Sequence, residues 1–261
     1  MMPLVMGVLN VTPDSFSDGG RFLDSAAAIA HGLRLVDEGA DIVDVGGEST
    51  RPGAAPVAED EEIGRITPVI AALAPHVRVS VDTRHASVAE AAVAAGATLI
   101  NDVSASLHEV AAATGAGWVA MHMQGEPSTM QAEPRYGDVV TEVCQYLVGR
   151  AQQAVAEGVV EVWIDPGIGF GKTAAHNLSL LRHLDALVAT GFPVVVGTSR
   201  KSFLGAIAGG TPADDRLEGS LATAVWAIHR GARMVRVHDV APTVVAARVV
   251  ALELEHAGAG A

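Results

Sequence analysis

The residues best equipped for chemistry stand just after short β-branched runs. Run by run they read Asn10; Gly46-Gly47-Glu48-Ser49-Thr50-Arg51-Pro52; Asp82; Asn101-Asp102; His122; Asp165-Pro166-Gly167; Ser199-Arg200-Lys201-Ser202; and Arg236-Val237-His238-Asp239. Asp82, Asn101 and Asp165 combine two carboxylates with an amide, a set that can accept from and donate to a planar heterocycle bearing amino and ring N–H groups. No histidine cluster of the zinc type accompanies them, which favours a nitrogen-rich ring over metal-assisted hydrolysis. Asn10 with the Arg236-x-His238 pair offers an oxygen ligand and two cationic donors. That is a phosphate-type set, in which Mg²⁺ would neutralise the remaining charge. Ser199 to Ser202 opens a helix, whose N–H groups, with the Ser202 hydroxyl, can hold a further anion. Asp102 and Asp239 serve equally well as helix caps or as partners of buried backbone.

These groups share a pocket only if the runs lie side by side. The runs are Val5 to Val11, Ile42 to Val45, Val77 to Val81, Leu99 to Val103, Trp118 to His122, Val160 to Ile164, Val194 to Gly197 and Met234 to His238. Between or after them, Ser25 to Glu38, Glu59 to Leu73, Ser87 to Ala95, Leu107 to Thr114, Asp138 to Glu157, Ala174 to Val188, Leu217 to Arg230 and Pro242 to Glu255 carry helical composition and apolar spacing. Near-continuous apolar runs indicate strands covered on both faces, as in parallel sheets. Glycines at 39, 96, 158, 191 and 231 mark helix C-termini. Eight strand–helix units within 261 residues fit an α/β fold, a single (β/α)8 TIM barrel with its active site at the C-terminal ends of the strands. The competing doubly wound sheet would favour a glycine fingerprint after the first strand, where this chain has Asn10-Val11-Thr12-Pro13-Asp14.

Composition narrows the classes. With 49% hydrophobic residues and 18% charged, the chain can bury a full core. A formal net charge of -13 argues against coating a nucleic acid, and of 17 basic residues only Lys172 and Lys201 are lysines. A single cysteine, Cys144, allows no intrachain disulfide. Neither a signal peptide nor a membrane-length apolar run is evident, so the expectation is a cytoplasmic protein with no membrane partner. The domain expected is 1–256, with a flexible Ala/Gly tail at 257–261. The long loops Thr12 to Gly20 and Gly46 to Gly53 read as lids over the mouth.

The runs Gly7-Val8-Leu9-Asn10-Val11-Thr12-Pro13-Asp14-Ser15-Phe16-Ser17-Asp18-Gly19-Gly20 and Asp44-Val45-Gly46-Gly47-Glu48-Ser49-Thr50-Arg51-Pro52-Gly53 resemble the two signature segments of dihydropteroate synthases. Ser80-Val81-Asp82-Thr83, Ile100-Asn101-Asp102-Val103, Asp165-Pro166-Gly167-Ile168-Gly169-Phe170-Gly171-Lys172, Ser199-Arg200-Lys201 and Arg236-Val237-His238-Asp239 continue the likeness. The resemblance implies a transferase of folate biosynthesis. It would condense 4-aminobenzoate with a hydroxymethyl-dihydropterin diphosphate, use Mg²⁺, work as a homodimer and be a sulfonamide target. By the resemblance, Asp82, Asn101, Asp165 and Lys201 would hold the pterin, with Met121, Phe170 and Gly197 beside it and Arg236 against its face. Asn10 would bind Mg²⁺, and Asn10, Thr50, Arg236 and His238 the diphosphate. Thr50, Arg51, Pro52, Phe170, Lys201 and Ser202 would frame the aminobenzoate. Asp14, Arg51, Lys201, Arg236 and His238 would carry the catalytic roles. Alternatives are a non-catalytic pterin-binding relative, and a methyltetrahydrofolate-dependent methyltransferase, which has no use for a diphosphate cradle. The chain has Ala105-Ser106 where the family usually has two glycines, which should stiffen the loop after the fourth strand, and 124–136 shows no regular pattern.

Overall fold

The computed structural model describes residues 2–12, 21–49, 57–126 and 129–259, the side chains of 21–24 and 253–259 excepted. The strands are β1 (Leu4–Asn10), β2 (Ile42–Gly46), β3 (Arg78–Asp82), β4 (Leu99–Asp102), β5 (Gly117–Met121), β6 (Val162–Asp165), β7 (Val195–Val196) and β8 (Met234–Val237). They form one eight-stranded sheet in the order β6-β5-β4-β3-β2-β1-β8-β7, and every pairing is parallel. A single bridge, Ile164 to Val194, joins β6 to the start of β7. There the Ile164 N–H donates to the Pro193 carbonyl at 3.0 Å. The barrel expected from the sequence is therefore the fold, almost closed.

Side chains alternate along a strand, so the register decides which ones face the barrel axis. Met6 pairs with Ile42, Val8 with Asp44 and Asn10 with Gly46; Gly46 in turn pairs with Asp82, and Asp82 with Asn101. The same parity places an apolar layer lower down. Met6, Ile42, Leu99, Val119, Trp163, Val195 and Met234 form a cluster of their own, separate from the larger core. That larger core joins the outward strand residues, among them Leu9, Val43, Val81, Ile100, Ile164 and Val235, to the surrounding helices. Two cores and one axis follow from a period-two pattern in strands that are apolar on both faces.

The helices are α1 (Arg21–Asp37), α2 (Glu59–Leu73), α3 (Ala86–Ala94), α4 (His108–Thr114), α5 (Val139–Ala156), α6 (Ala174–Arg182), α7 (Leu184–Val188), α8 (Ser202–Ile207), α9 (Leu217–His229) and α10 (Val240–Ala259). Two departures from the sequence reading matter. The expected helix from Ala174 to Val188 breaks at His183, which caps α6 and begins α7. The segment after β7 forms the six-residue α8 and a 3-10 turn, Ala213–Asp215, before α9; Gly209 and Gly210, both at positive φ, end α8 before any periodicity can show. The five glycines read as helix ends all adopt positive φ.

Candidate active site

Above the apolar plug lies a polar layer built by the same strands two residues further on. Asp44, wholly buried on β2, accepts from Asn101 Nδ2 at 2.9 Å and from Arg236 Nε at 2.6 Å. The other arm of the Arg236 guanidinium reaches Asp82 Oδ2 at 2.6 Å. Arg236 thus bridges two carboxylates across the mouth, with Asn101 completing the row. Burial, opposed by Arg236 and reinforced by Asp44, raises Asp82 above the usual carboxylate range. Asp44 Oδ1, Asp82 Oδ1 and Ser80 Oγ are buried with no hydrogen-bond partner among the described residues. Unmatched polar atoms in a concave, charged layer are what a polar ring would satisfy.

The loop after β6 supplies the opposite wall. Asp165 Oδ1 accepts from the Gly167 N–H at 2.7 Å, and burial raises its carboxyl against the pull of Lys201. Gly167 and Gly171 have φ of 63° and 60°, and a Cβ on either would run into the backbone of His122 or Gln124. Only glycine lets this loop lie so close to the loop after β5. Lys201 crosses from the far side: its ammonium donates to the Ile168 carbonyl and lies 4.6 Å from the Phe170 ring centroid. Burial brings Lys201 down to about 8, with Asp165 opposing. Met121 pairs in register with Asp165 and is buried.

At the ends of β7 and β8, Ser199 Oγ accepts from the His238 N–H at 3.1 Å and lies 3.1 Å from its Nδ1. Arg200, at φ 59°, sends its guanidinium to Asp239, with Nε 3.1 Å from Oδ2, and gives its N–H to Ser220. Asp239 is thus a loop anchor. Asp102 has the same kind of role, accepting from the N–H groups of Ser104, Ser106 and Leu107 and from Trp118 Nε1. Gly197 follows β7 with Arg236 beside it; a Cβ there would lie 3.6 Å from Arg236 Cβ, an ordinary contact. Ser202 opens α8 on the surface. Asn10 ends β1, half-buried at the mouth.

The structure therefore brings Asp82, Asn101, Asp165, Phe170, Lys201 and Arg236 around one mouth, with His238 held by Ser199 at the ends of β7 and β8. Asp14, Thr50, Arg51 and Pro52, with most of the first lid loop and half of the second, lie outside the described residues. Sequence reasoning missed Asp44, although a carboxylate within the apolar strand Ile42-Val43-Asp44-Val45 was the available signal. It also left Lys172 and His122 without a role. Lys172 is buried with its ammonium 2.9 Å from His122 Nδ1, and burial brings it down to about 7. Burial and Lys172 together bring His122 down to about 3, so its ring is neutral.

Among the described residues two other clusters have ligand-type atoms, and the more exposed of them joins His108, Glu109 and Glu157. Glu48, Glu62 and His85 place theirs within 4.8 Å of one another. Glu48 is already engaged by the Val57 N–H and by Arg84 Nε, at 3.1 Å and 3.2 Å. Glu62 is wholly buried, and burial pushes it up to about 7, opposed by the Thr83 hydroxyl. Burial thus disposes Glu62 to keep its proton beside the Glu48–Arg84 ion pair.

The family model for pterin binding enzymes matches residues 6–238. The dihydropteroate synthase of Neisseria meningitidis serogroup C is 48% identical over 92% of this chain and 89% of its own. Among solved structures, Yersinia pestis dihydropteroate synthase with a sulfonamide drug aligns with a TM-score of 0.91 at 45% identity, covering 97% of this chain and 95% of that one. The Xanthomonas albilineans dihydropteroate synthase aligns with TM-scores of 0.89 with 4-aminobenzoic acid and 0.86 with 7,8-dihydropteroate. Identities there are 48% and 45%, covering 95% of this chain and 92% of the other in both cases. The chain belongs to the pterin-binding enzymes. Within them it belongs to the dihydropteroate synthase family.

Proposed function

We propose that the protein condenses 4-aminobenzoate with (7,8-dihydropterin-6-yl)methyl diphosphate, giving 7,8-dihydropteroate and diphosphate. The observation that carries this is the polar layer: two carboxylates, an amide and a guanidinium converge with buried atoms unmatched, while Asp165 and Lys201 face them. Asp82, Asn101 and Asp165 take the amino and ring N–H groups of the pterin, Arg236 lies against its face, and Met121, Gly197 and Phe170 border it. In the reaction the C–O bond to diphosphate breaks first and the leaving group keeps the electron pair. The arylamine nitrogen then forms the C–N bond and loses a proton. No protein nucleophile is needed. Arg236 and His238 stabilise the departing charge, and the two lid loops, with Asp14, Thr50, Arg51 and Pro52, exclude water and frame the aminobenzoate beside Lys201 and Ser202.

Mg²⁺ fits this arrangement. The single oxygen of Asn10 at the mouth is a poor resident cage, but it suits an ion that retains waters and shares substrate phosphate oxygens. When bound, Mg²⁺ would neutralise leaving-group charge. Among the described residues no helix is long and apolar enough to cross a membrane; we take the protein to be cytoplasmic. A homodimer through the late helices is supported by exposed Trp226 on α9 and Val245, Val249 and Leu252 on α10.

The test is to incubate the protein with both substrates and Mg²⁺ and to measure dihydropteroate and diphosphate together. Competition by a sulfonamide, which mimics the aminobenzoate, supports the reading; pterin binding without either product would leave a non-catalytic binder instead.

A further inference from the structure

The loop from Gln124 to Tyr136 has no place in the chemistry just described, yet it is fastened to the wall of the site at several points. Tyr136 OH donates to the Gly171 carbonyl at 2.9 Å, and Gln131 Nε2 to the Gly169 carbonyl. Gln124 closes the loop on itself, donating from Nε2 to the Arg135 carbonyl at 2.8 Å and accepting from the Arg135 N–H at 2.9 Å. Beneath these contacts Lys172 binds three acceptors: His122 Nδ1 at 2.9 Å, the His122 carbonyl at 3.1 Å and the Phe170 carbonyl at 3.0 Å. An ammonium has three N–H donors and no acceptor, so donors and acceptors match one for one. The neutral imidazole stacks in turn edge-to-face with Tyr146 on α5, with ring centroids 5.0 Å apart.

The consequence falls on Phe170 and Ile168, which lie in the loop so fastened. Phe170 carries the ring beneath Lys201, and Ile168 the carbonyl that receives it. Resting on the synthase reading given above, we propose that Lys172 and His122 are positioning residues that hold the loop after β6 in the one conformation where Phe170 and Lys201 meet both substrates. Neither touches the reacting atoms. A loop displaced by about 1 Å at a reacting centre can cost on the order of 100-fold in rate, so a clamp buried behind the wall can control turnover.

The experiment uses the full chain with pterin diphosphate, 4-aminobenzoate and Mg²⁺. Lys172→Met should lower kcat/KM for aminobenzoate by about 100-fold, and in a double-mutant cycle with Phe170→Ala the two losses should fail to add, because both act through the same ring. His122→Asn, which keeps an acceptor near the position of Nδ1, should retain most activity. His122→Leu, which removes it, should behave as Lys172→Met, and urea unfolding should show both variants folded. Additive losses from Lys172→Met and Phe170→Ala, or equal activity in the two His122 variants, would overturn the clamp. A wild-type chain that forms no dihydropteroate would instead refute the synthase reading, before any variant is compared.

Discussion

The lower and upper layers of the barrel interior are built by the same strands, two residues apart, and they obey opposite rules. Leu99 and Asn101 stand in line on β4, as do Ile42 and Asp44 on β2. The lower layer is a dry plug in which Met6, Ile42, Leu99 and Met234 are almost fully buried and satisfy one another by contact alone. In the upper layer each buried polar group needs a partner of definite chemistry, and Asp44 Oδ1, Asp82 Oδ1 and Ser80 Oγ have none among the described residues. Packing energy collects where shape suffices; binding capacity is retained where polar satisfaction is left incomplete. The plug closes the barrel beneath the upper layer, where Arg236 holds Asp44 and Asp82 together at 2.6 Å each.

The largest test of that contrast removes the cation of the upper layer. Arg236→Met leaves Asp44 and Asp82 buried without it; it should destabilise the fold by about 3–5 kcal/mol and lower turnover by about 1000-fold. An unfolding midpoint equal to wild type would show that the layer is not held by opposite charge. A pair of substitutions on β4 sharpens the comparison. Leu99→Ala should cost about 2–5 kcal/mol of stability while both KM values hold; Asn101→Ala should weaken pterin binding by about 10-fold with a smaller effect on unfolding. If the two profiles coincide, the layers are not functionally distinct. At the edge of the upper layer, Glu62 holds its proton up to about 7 in the fold, against 4.5 as a free side chain. Its contribution is fully present below the lower value and is lost as pH rises through that window, because the unfolded chain ionises first. The stability of wild type against urea should therefore fall relative to Glu62→Gln as pH rises between those values, and parallel curves would exclude a buried neutral acid. The smallest effect is expected on the rim. Ala105 is buried at φ 51°, where the loop is drawn in by the Asp102 hydrogen bonds, so in Ala105→Gly relief of strain offsets the loss of a buried methyl of about 0.8 kcal/mol and the unfolding free energy should stay within about 0.5 kcal/mol of wild type. A loss equal to the full methyl contribution would mean that the loop is not strained there.

Much of this organisation was legible in the chain. Alternating strand and helix composition gave the barrel, and the polar strand ends gave Asp82, Asn101, Asp165 and Arg236, because parallel strands buried on both faces leave few reasons for a charge to follow them. The glycine stops before β2, β4, β6, β7 and β8 were equally plain. Asp44 was not, since its importance depends on register, and a single acid inside an apolar strand looks like a lapse in pattern until Arg236 is seen to reach it. Lys172 and His122 escaped for a related reason: they are separated by 50 residues and meet only because glycines bring two loops into contact. The start of α8 was marked by Ser199 to Ser202, but its separation from α9 was hidden by its length, too brief for a 3.6-residue period to register.

The closure of the barrel has a mechanical side. β7 contributes two residues, and its link to β6 is a single bridge, whereas β1 and β2 are paired over five positions. The cylinder is in effect a ribbon of strands with one loosely stitched seam, and amides along that seam should be the first in the sheet to exchange with solvent. Directly above it, the Lys201 ammonium passes from the loop after β7 to the Ile168 carbonyl in the loop after β6. The side chain proposed to meet the substrates is also a stitch across the seam, so a ligand that draws these two loops together would tighten the whole ring.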